Sequence, residues 1–421
     1  MTALIRAYLA LTAACPALLL RPALRAHAAQ GADPARIGER HGHAGLDRPQ
    51  GRLVWVHAAS MGEVLAVRDM LADLRLARPD LSFLMTTTTA TGGAAVERAI
   101  PGALHHFLPA DIPSAVTAFL GHWRPDAGVI VESDIWPRLV TAAAARGIPL
   151  ALVNARRSRT RLRFPRTMGA LLSRFALVTT QDSDVTRDIL SLGLSERCVL
   201  TAGDLKADSA APPDDPLARA DLVQAIGSRP VWIAASTHPP DEGPVLAAHA
   251  DLCRQVSGAL LVLVPRHPAR ADTIMDACSA LGLPAARRSR GDLPTQQTAV
   301  YLADTLGEMG VFLRAGRVVF LGGSFGDEGG HNPYEPLQLG AALLHGPGVA
   351  HFASAYARLG AGGASVTVAD AAALARAVER WLCQPALLER AADAGGQALA
   401  KMQGARATTV SALLALLDRH A

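Results

Sequence analysis

The chain alternates between short apolar runs and helical segments, and a stretch rich in Pro and Asp from Lys206 to Asp221 interrupts this alternation once. Continuous apolar strands separated by helices indicate a parallel sheet covered on both faces. We therefore predict an α/β protein with one domain over residues 35–205, a linker over 206–221 and a second domain with C-terminal helices over 222–421. In open α/β sheets ligands bind beyond the carboxyl ends of the strands, so the cleft between the two lobes is the expected site.

The same pattern predicts the individual elements. We predict helices over Glu63–Ala77 and Glu242–Val256 from apolar residues at helical spacing. Predicted strands cover Leu53–His57, Ser82–Thr86, Ala127–Val131, Pro149–Val153, Leu177–Thr180, Val231–Ala235, Leu260–Val264 and Val318–Leu321.

Composition excludes several classes of protein. Half of the 421 residues are apolar, which suits large packed cores and excludes disorder for most of the chain. The net charge of +4 does not indicate a nucleic-acid partner. Five scattered cysteines without a CxxC pair favour neither a disulfide framework nor a zinc site.

The N-terminal segment, residues 1–28, has three interpretations. Ala7–Leu20 carries no charge, but Pro16 interrupts it and it is shorter than the ~20 residues that span a bilayer. Arg6 precedes this run, and Ala26–Ala28 has the form of a signal-peptidase site. A membrane-associated anchor, a signal peptide and a soluble helix therefore remain open on local features.

The run Ser60-Met61-Gly62-Glu63 directly follows the first predicted strand. Gly62 permits close backbone approach, and the helix start offers N–H groups to a ligand. Glu63 is then a candidate general base. The alternative is a capping box, in which Ser60 is the N-cap and Glu63 lies three residues later.

A second acidic pair, Glu132 and Asp134, follows the strand Ala127–Val131. Such acids could hold an acceptor hydroxyl or alter the pKa of a neighbour. The alternative is helix initiation, with Asp134 as the cap and Pro137 in the first turn.

The second half of the chain offers phosphate-binding and ribose-binding candidates. Arg266, after an apolar strand, suits a phosphate, although such an arginine can equally be a surface residue. Three further segments combine a turn with a helix start: Asp304–Glu308, Gly322–Ser324 and Gly329–Glu335. Such segments suit contacts to a phosphate or a ribose, and the alternative is that they are plain turns.

Six arginines between Arg156 and Arg166 form a cationic patch that suits anionic lipid headgroups or a phosphorylated acceptor, or is a solvated loop. Asp182-Ser183-Asp184 has the DxD form of some metal-binding glycosyltransferases, but an N-cap at a helix start explains it better. We expect no metal site.

An ordered set of runs resembles the 3-deoxy-D-manno-octulosonic acid (Kdo) transferase family of lipopolysaccharide synthesis. The runs are Arg36–Gly42, Trp55–Glu63, Thr87–Gly92, Leu108–Asp111, Glu132–Arg138, Pro149–Arg156, Gly203–Asp208, Ala235–His238, Pro265–Pro268, Asp304–Glu308 and Gly322–Pro336.

This resemblance implies a GT-B fold, a CMP-Kdo donor, a lipid A precursor (lipid IV-A) as acceptor, and inversion without a metal or other cofactor, at the cytoplasmic face of the inner membrane with an N-terminal anchor. It implies that Glu63 is the base. On the acceptor side it implies Glu132, Asp134, Ser60, Gly62, Arg156, Arg157 and Lys206. On the donor side it implies Ser236, Thr237, Arg266, His267, Leu306, Gly307, Glu308, Gly323, Ser324, Asn332 and Glu335.

The chain departs from the family pattern at three positions: Asp134, where Glu is usual, and Arg138 and Asp204, where Asn is usual. The side chain of Asp134 is about one methylene shorter than that of Glu, so its carboxylate reaches less far toward the acceptor. Two other functions remain open: a GT-B transferase or epimerase that uses a UDP-sugar, and a non-catalytic membrane-bound scaffold.

Overall fold

The protein, described here by a computed structural model over residues 1–132 and 134–420, consists of two compact units. One unit contains residues 1–209 and those from Met402 onward, and the other contains Ala210–Lys401. Each unit is built on a seven-stranded parallel sheet. The predicted α/β class with two Rossmann-like domains is therefore confirmed.

The sheet of the first unit has the strand order β3-β2-β1-β4-β5-β6-β7. Its strands are β1 (Arg52–His57), β2 (Leu81–Thr87), β3 (Leu104–Phe107), β4 (Ala127–Val131), β5 (Leu150–Ala155), β6 (Phe175–Thr180) and β7 (Val199–Thr201). Successive residues of β1 point to opposite faces, so that Val54 and Val56 pack in one apolar core and Leu53 and Trp55 in another. Both faces of the sheet are thus buried.

The helices of this unit begin at residues with clear start signals. Proline occupies the first turn of α5 and α6, and the Asp182 carboxylate caps α9 by accepting from the Val185 N–H at 2.8 Å, as predicted. The helices are α1 (Ala3–Ala14), α2 (Ala17–Ala29), α3 (Met61–Ala77), α4 (Ala90–Ala99), α5 (Pro113–Trp123), α6 (Pro137–Ala145), α7 (Arg159–Arg163), α8 (Pro165–Leu172) and α9 (Ser183–Leu190).

The second unit repeats this architecture, with the strand order β10-β11-β9-β8-β12-β13-β14. The strands are β8 (Val231–Thr237), β9 (Leu260–Pro265), β10 (Ala285–Arg287), β11 (Val300–Leu302), β12 (Val318–Leu321), β13 (Ala342–His345) and β14 (Ser365–Thr367). Its helices are α10 (Pro216–Ile226), α11 (Pro239–Cys253), α12 (Ala271–Ala280), α13 (Met309–Leu313), α14 (Tyr334–Gln338), α15 (Ala353–Ala361), α16 (Ala371–Cys383) and α17 (Pro385–Met402).

The structure differs from the predicted boundaries at two places. The last helix, α18 (Ala405–Arg419), was expected in the second domain but packs on the first unit, because Leu413, Leu416 and Leu417 enter the core there. The predicted linker is also shorter: α10 begins at Pro216, where the Asp215 side chain caps it, which leaves residues 209–215 between the elements.

Helices α1 and α2 lie against the first unit through Ile5, which is 1% exposed, and through Leu19 and Leu20. Among the described residues, no helix alone has the length and apolar character to cross a bilayer. The pair α1 and α2 meets that criterion together, but it is bent by 73° at the break between the helices.

The strand orders place the reversal of each sheet between two specific strands. In the first unit the chain winds outward from β1 in one direction and from β4 in the other, and in the second unit it does so from β8 and β12. Ligands bind beyond the carboxyl ends of the strands at such a reversal. The loops after β1, β4, β8 and β12 are therefore the expected sites.

Candidate active site

Glu63 lies in the first turn of α3, directly beyond β1. Its carboxylate accepts from the Ala59 N–H at 2.7 Å. Ser60 is the N-cap, as predicted, but its hydroxyl caps none of the described helix N–H groups, so the proposed capping box is wrong. The Glu63 carboxylate instead holds the turn that precedes the helix.

The surroundings of Glu63 favour its protonated form. Burial raises the pKa of Glu63 to about 7, the negative charges of Glu132 and Asp134 act in the same direction, and His57 and the Ala59 N–H oppose them. A carboxyl group with this pKa can accept a proton from a substrate hydroxyl near neutral pH.

Asp134 is held by a histidine from the neighbouring strand. The fully buried His57 at the end of β1 contacts Asp134 Oδ2 through Nε2 at 2.9 Å, and its Nδ1 lies 3.0 Å from Thr86 Oγ1. Burial acts to raise the pKa of Asp134, but hydrogen bonds from His57 and Thr88 lower it below the ordinary value. Asp134 is therefore an ionised group oriented by His57, and the alternative role as a helix cap is wrong because α6 starts at Pro137 with Trp136 as its N-cap.

Glu132 is buried between two cations. Lys206 Nζ donates to Glu132 Oε1 at 2.6 Å, and Arg156 Nε lies 2.8 Å from Oε2. Glu132 also has a left-handed backbone with φ of 59°. Non-glycine residues seldom adopt this conformation, and such strain concentrates at functional sites. The predicted acid Glu132 and the predicted acceptor-side residues Arg156 and Lys206 thus form one ion-paired group.

The buried side-chain amide of Asn154 holds the segment that carries Lys206. Asn154 donates from Nδ2 to Asp204 Oδ1 at 3.2 Å and accepts from the Leu205 N–H at 3.0 Å. Burial raises the pKa of Asp204, one of the departures from the family pattern. The contacts of Asn154 hold the chain that carries Lys206 beside β5.

The remaining acceptor-side candidates, Arg157, Gly62 and Ser60, lie outside this ion-paired group. Arg157 is 74% exposed and lies 3.7 Å from Asp188, away from the Glu132 ion pairs. Gly62 is exposed, and a Cβ there would meet nothing within 4 Å. Packing therefore does not require a glycine at position 62. Ser60 has the extended backbone of an N-cap.

In the second unit, Asp241 organises the turns after β8 and β12. This fully buried carboxylate accepts from the N–H groups of His238 at 2.8 Å, Gly323 at 2.7 Å, Ser324 at 3.3 Å and Phe325 at 3.0 Å. One carboxylate in the first turn of α11 therefore joins two predicted donor-side segments.

Close backbone approach fixes the same two turns. A Cβ at Gly322 would lie 2.5 Å from the Ser236 carbonyl oxygen, and Ser236 itself has a left-handed φ of 57°. The Ser324 hydroxyl donates to the Leu321 carbonyl at 2.6 Å and accepts from the Gly346 N–H at 2.8 Å. These predicted residues build the turn, and the Ser324 side chain is fully buried.

Cationic and imidazole groups gather beyond β8 and β9. The Arg266 N–H donates to the Thr237 carbonyl at 2.9 Å. The side chains of Arg266 and His267 are exposed, and the His238 ring lies edge-on to His267 at 5.4 Å and 2.9 Å from His331 through the two Nε2 atoms. Burial, followed by the nearby His238 and Arg266, lowers the pKa of His331 to about 4. His331 is thus a neutral ring at physiological pH.

Glu335 and Asn332 lie at the start of α14. Asn332 Nδ2 donates to Glu335 Oε1 at 3.1 Å, and Asn332 Oδ1 accepts from the Tyr334 N–H at 3.0 Å. Burial raises the pKa of Glu335, and the Asn332 hydrogen bond and Arg266 oppose that shift. The structure thus brings the predicted Glu335 near the predicted Arg266.

The acids of the predicted segment Asp304–Glu308 already have protein partners. Arg288 Nη2 lies 2.5 Å from Glu308 Oε1, and this hydrogen bond lowers the pKa of Glu308. Arg287 and Ser289 hold Asp304. Leu306 is 77% exposed and Gly307 has φ of 90°, so the tip of this turn is its most exposed part.

Residues beyond the predicted set also contribute. His57 and Asp241 bond directly to predicted residues, whereas Asn154, His238 and His331 bond to neighbours of predicted residues. Sequence reasoning missed the roles of all five. His57, His238 and His331 lie inside the quoted motifs, so their positions at strand ends were an available signal. Across residues 1–132 and 134–420 no group of three His, Cys, Asp or Glu side chains has an arrangement that could hold a metal ion.

The chain is similar in sequence to known proteins over most of its length. The family model of the 3-deoxy-D-manno-octulosonic-acid transferases (kdotransferases) matches residues 35–209. The 3-deoxy-D-manno-octulosonic acid transferase of Haemophilus influenzae is 32% identical over 396 residues, which is 91% of this chain and 92% of that protein.

Two solved structures are also similar. The C-terminal CMP-Kdo binding domain of WaaA from Acinetobacter baumannii is 32% identical, with a TM-score of 0.42 over 43% of this chain and 95% of that one. UDP-GlcNAc 2-epimerase from Neisseria meningitidis is 14% identical, with a TM-score of 0.60 over 86% of this chain and 99% of that one, and it shows the fold alone. The fold is GT-B, and the near full-length match to the Haemophilus influenzae enzyme shows that this chain belongs to the Kdo transferase family.

Proposed function

We propose that this Kdo transferase moves Kdo from CMP-Kdo to a hydroxyl of a lipid A precursor, lipid IV-A, with inversion at the anomeric carbon and Glu63 as the general base. Glu63 would take the proton of the acceptor hydroxyl. The acceptor oxygen would form a bond to the anomeric carbon while the bond from that carbon to the CMP phosphate oxygen breaks and CMP leaves.

The observation that carries this proposal is the environment of Glu63. A carboxylate of ordinary pKa is a poor match for a hydroxyl, whereas burial and two acidic neighbours raise the pKa of Glu63 to about 7. General-base efficiency is greatest when the pKa lies near the working pH. Glu132 stays in its ion pairs with Lys206 and Arg156. Its negative charge therefore raises the pKa of Glu63, and Glu132 does not itself accept the proton.

The acceptor would bind to the first unit, beyond the carboxyl ends of β1 and β4. Asp134, ionised and oriented by His57, can accept a hydrogen bond from a sugar hydroxyl. Lys206 and Arg156 place positive charge at Glu132, the acid whose charge acts on Glu63, and this charge suits an anionic acceptor.

The donor would bind to the second unit, where Arg266 and the N-terminus of α11 supply positive charge for the CMP phosphate. Glu335 suits the ribose hydroxyls, and the turn around Gly323 presents backbone groups. Because a cation and oriented N–H dipoles can stabilise the leaving phosphate, we propose that the reaction needs no metal ion or other cofactor.

The protein would act at the cytoplasmic face of the inner membrane, where CMP-sugars are available. The pair α1 and α2 carries exposed leucines and arginines and has the length and composition of a bent membrane segment. These features support an N-terminal membrane association.

The test is a transfer assay with purified protein, CMP-Kdo and lipid IV-A, with products identified by mass spectrometry. We expect a mass gain of one or more Kdo residues and stoichiometric release of CMP, with no loss of rate in EDTA. Release of UDP or UMP from a UDP-sugar, with no reaction of CMP-Kdo, would contradict the donor assignment. A chelator-sensitive rate would contradict the metal-free mechanism.

A further inference from the structure

Helix α1 is attached to the first unit by polar groups as well as by apolar ones. The Tyr8 hydroxyl donates to Asp111 Oδ2 at 2.8 Å. Arg138 donates through Nη2 to Thr12 Oγ1 at 2.6 Å and to the Leu9 carbonyl oxygen. Directional bonds of this kind fix the position of a helix, which a flexible tether to a membrane would not require.

The partner of Tyr8 also anchors the helix that follows the acidic segment, defined here as Glu132 and residues 134–136. Asp111 is 2% exposed, and its carboxylate accepts from the N–H groups of Arg138 at 2.9 Å and Leu139 at 2.8 Å, in the first turn of α6. An anion at this position satisfies N–H groups that have no partner within the helix. One buried carboxylate thus joins α1 to the start of α6.

The apolar contacts of α1 reach the acidic segment itself. Ile5 is 1% exposed and forms a cluster with Met168 and Leu171, against which Leu9 and Ile135 also pack. Ile135 directly follows Asp134. The acidic segment is therefore held from one side by the His57–Asp134 contact and from the other by α1.

The opposite face of α1 is exposed. Leu4 is 50% exposed and Leu11 is 53% exposed. The inner face, with Ile5, Tyr8 and Thr12, and the outer face, with Leu4 and Leu11, can consequently be changed independently.

We propose that α1 is a positioning element of the active site: Tyr8 and Arg138, acting through Asp111 and α6, together with the packing of Ile135, hold Asp134 in place beside His57 and Glu63. This inference rests on the acceptor-side role proposed for Asp134. It adds to α1 a function that operates when no membrane is present.

Displacement of Asp134 would change both the geometry and the charge around Glu63. A displacement of about 1 Å can cost up to about 100-fold in rate, because the reacting groups no longer meet in the required geometry. The groups that face Glu63 are His57 and the Ala59 N–H from β1 and its turn, and Glu132 and Asp134 from the end of β4. Loss of Asp134 from this set would lower the pKa of Glu63.

The experiment uses full-length protein in detergent micelles that carry the lipid acceptor. Tyr8→Phe removes the hydroxyl bonded to Asp111, Thr12→Val removes the acceptor of the Arg138 bond, and Arg138→Met removes its donors. The matched controls are Leu11→Ser on the outer face of α1 and Arg21→Met at an exposed arginine of α2. Thermal unfolding identifies any variant that fails to fold, and the two conservative changes keep the test open if Arg138→Met does fail.

We expect Tyr8→Phe, Thr12→Val and Arg138→Met each to lower kcat/KM by about tenfold. The acid limb of their pH profiles should move to lower pH. Both controls should keep the wild-type values in micelles. Wild-type kcat/KM and an unmoved acid limb in Tyr8→Phe and Thr12→Val would overturn the proposal. An equal loss in the controls would do so as well. Glu63→Gln is assayed in parallel: if it transfers Kdo at the wild-type rate, the assignment of the base fails, whereas the comparison of kcat/KM between the two faces still tests α1.

Discussion

At the scale of single residues, Glu63 is surrounded by groups that oppose its ionisation, and the rate should reveal this. The base must be deprotonated to act, so kcat/KM should fall tenfold per pH unit below the pKa of about 7. Glu63→Gln should lower kcat by about 100- to 10,000-fold and abolish this limb. Stopped assays with a radiolabelled or mass-labelled donor across pH 5–9 measure both effects.

Glu97→Gln is the matched control for this prediction, since Glu97 is an exposed glutamate on the next helix, α4. It should leave the rate and the pH profile unchanged. An acid limb centred near pH 4.5, the ordinary value for Glu, would show that the active-site surroundings do not raise the pKa of Glu63.

The same residue should make the first unit less stable as the pH rises. The pKa of Glu63 is about 7 in the folded state and near 4.5 in the unfolded state, so between these values the folded state binds more protons and the free energy of unfolding decreases with increasing pH. Glu63→Gln removes this penalty, which is at most about 3 kcal/mol. Its melting temperature should therefore exceed that of the wild type at pH 8, and the difference should shrink toward pH 4.5. A constant difference across this range in scanning calorimetry would contradict the prediction.

Asp241 differs from Glu63 in its partners, because its carboxylate accepts hydrogen bonds from four backbone N–H groups. Asp241→Asn keeps the size of the side chain but turns one acceptor into a donor that faces other donors. We expect a loss of about 3 kcal/mol in the stability of the second unit and weaker binding of CMP. Thermal unfolding and titration calorimetry with CMP measure the two effects. Asp251→Asn, at a partly exposed position on the same helix, should change neither.

At the scale of elements, every strand that could be predicted lies inside its sheet, and no edge strand was predicted. Apart from Arg52 and His57 at the ends of β1 and Ser236 and Thr237 at the end of β8, the residues of β1, β4, β8, β9 and β12 are apolar, because helices cover both faces. The strands β3, β7, β10, β11, β13 and β14 were missed, and each is only three or four residues long. The equally short β12 was predicted because its four residues are all apolar and Gly322-Gly323-Ser324 marks its end. Periodicity cannot identify runs of that length.

The local sequence pattern also predicted the wrong hydrogen-bond partner for Glu63. A serine followed three residues later by a glutamate predicts reciprocal capping, but the carboxylate accepts from the Ala59 N–H, one residue before the N-cap. The signature depends on local spacing alone, whereas the orientation of Glu63 depends on Glu132 and Asp134 from another strand. Their proximity follows from the order β1-β4, which no local pattern contains.

The assignment of α18 is a further case in which a distant contact decides the outcome. Leu416 is 1% exposed and lies in the core of the first unit, more than 200 residues beyond the end of that unit's sheet. Leu416→Ala should destabilise the first unit by about 2–5 kcal/mol through the cavity that it leaves. Hydrogen exchange should increase in β1 and β6 and stay unchanged in β8 and β9. Leu217→Ala, at a leucine that is 80% exposed, is the control and should alter neither set.

At the scale of the whole molecule, the presence of two α/β units could be predicted because a Pro-rich segment interrupts a regular alternation. The two ends of the chain could not be assigned this way. Helix α18 joins the first unit through side chains, and the uncharged run at the N-terminus divides into two helices at Pro16, each with one face on the protein. Hydropathy alone does not distinguish a helix that spans a bilayer from one that lies on a surface.

The outer faces of α1 and α2 lead to a prediction about the molecule at a membrane. Leu4, Leu11 and Leu18 are each at least half exposed, and no acidic residue precedes Asp33, so the segment offers apolar and positively charged groups together. Replacing the three leucines with serine should weaken binding to vesicles that contain anionic lipid by at least about tenfold, because less apolar surface enters the headgroup region. Salt should weaken wild-type binding further by screening the arginines.

The control for this experiment is a triple leucine-to-serine variant at Leu76, Leu217 and Leu281, which are exposed elsewhere on the protein. It should sediment with vesicles as the wild type does. Because the outer-face leucines make no contact on which the inner face of α1 depends, the triple α1–α2 variant should keep its rate in micelles while it loses vesicle binding. Equal sedimentation of both triple variants would show that this surface does not hold the protein at the membrane.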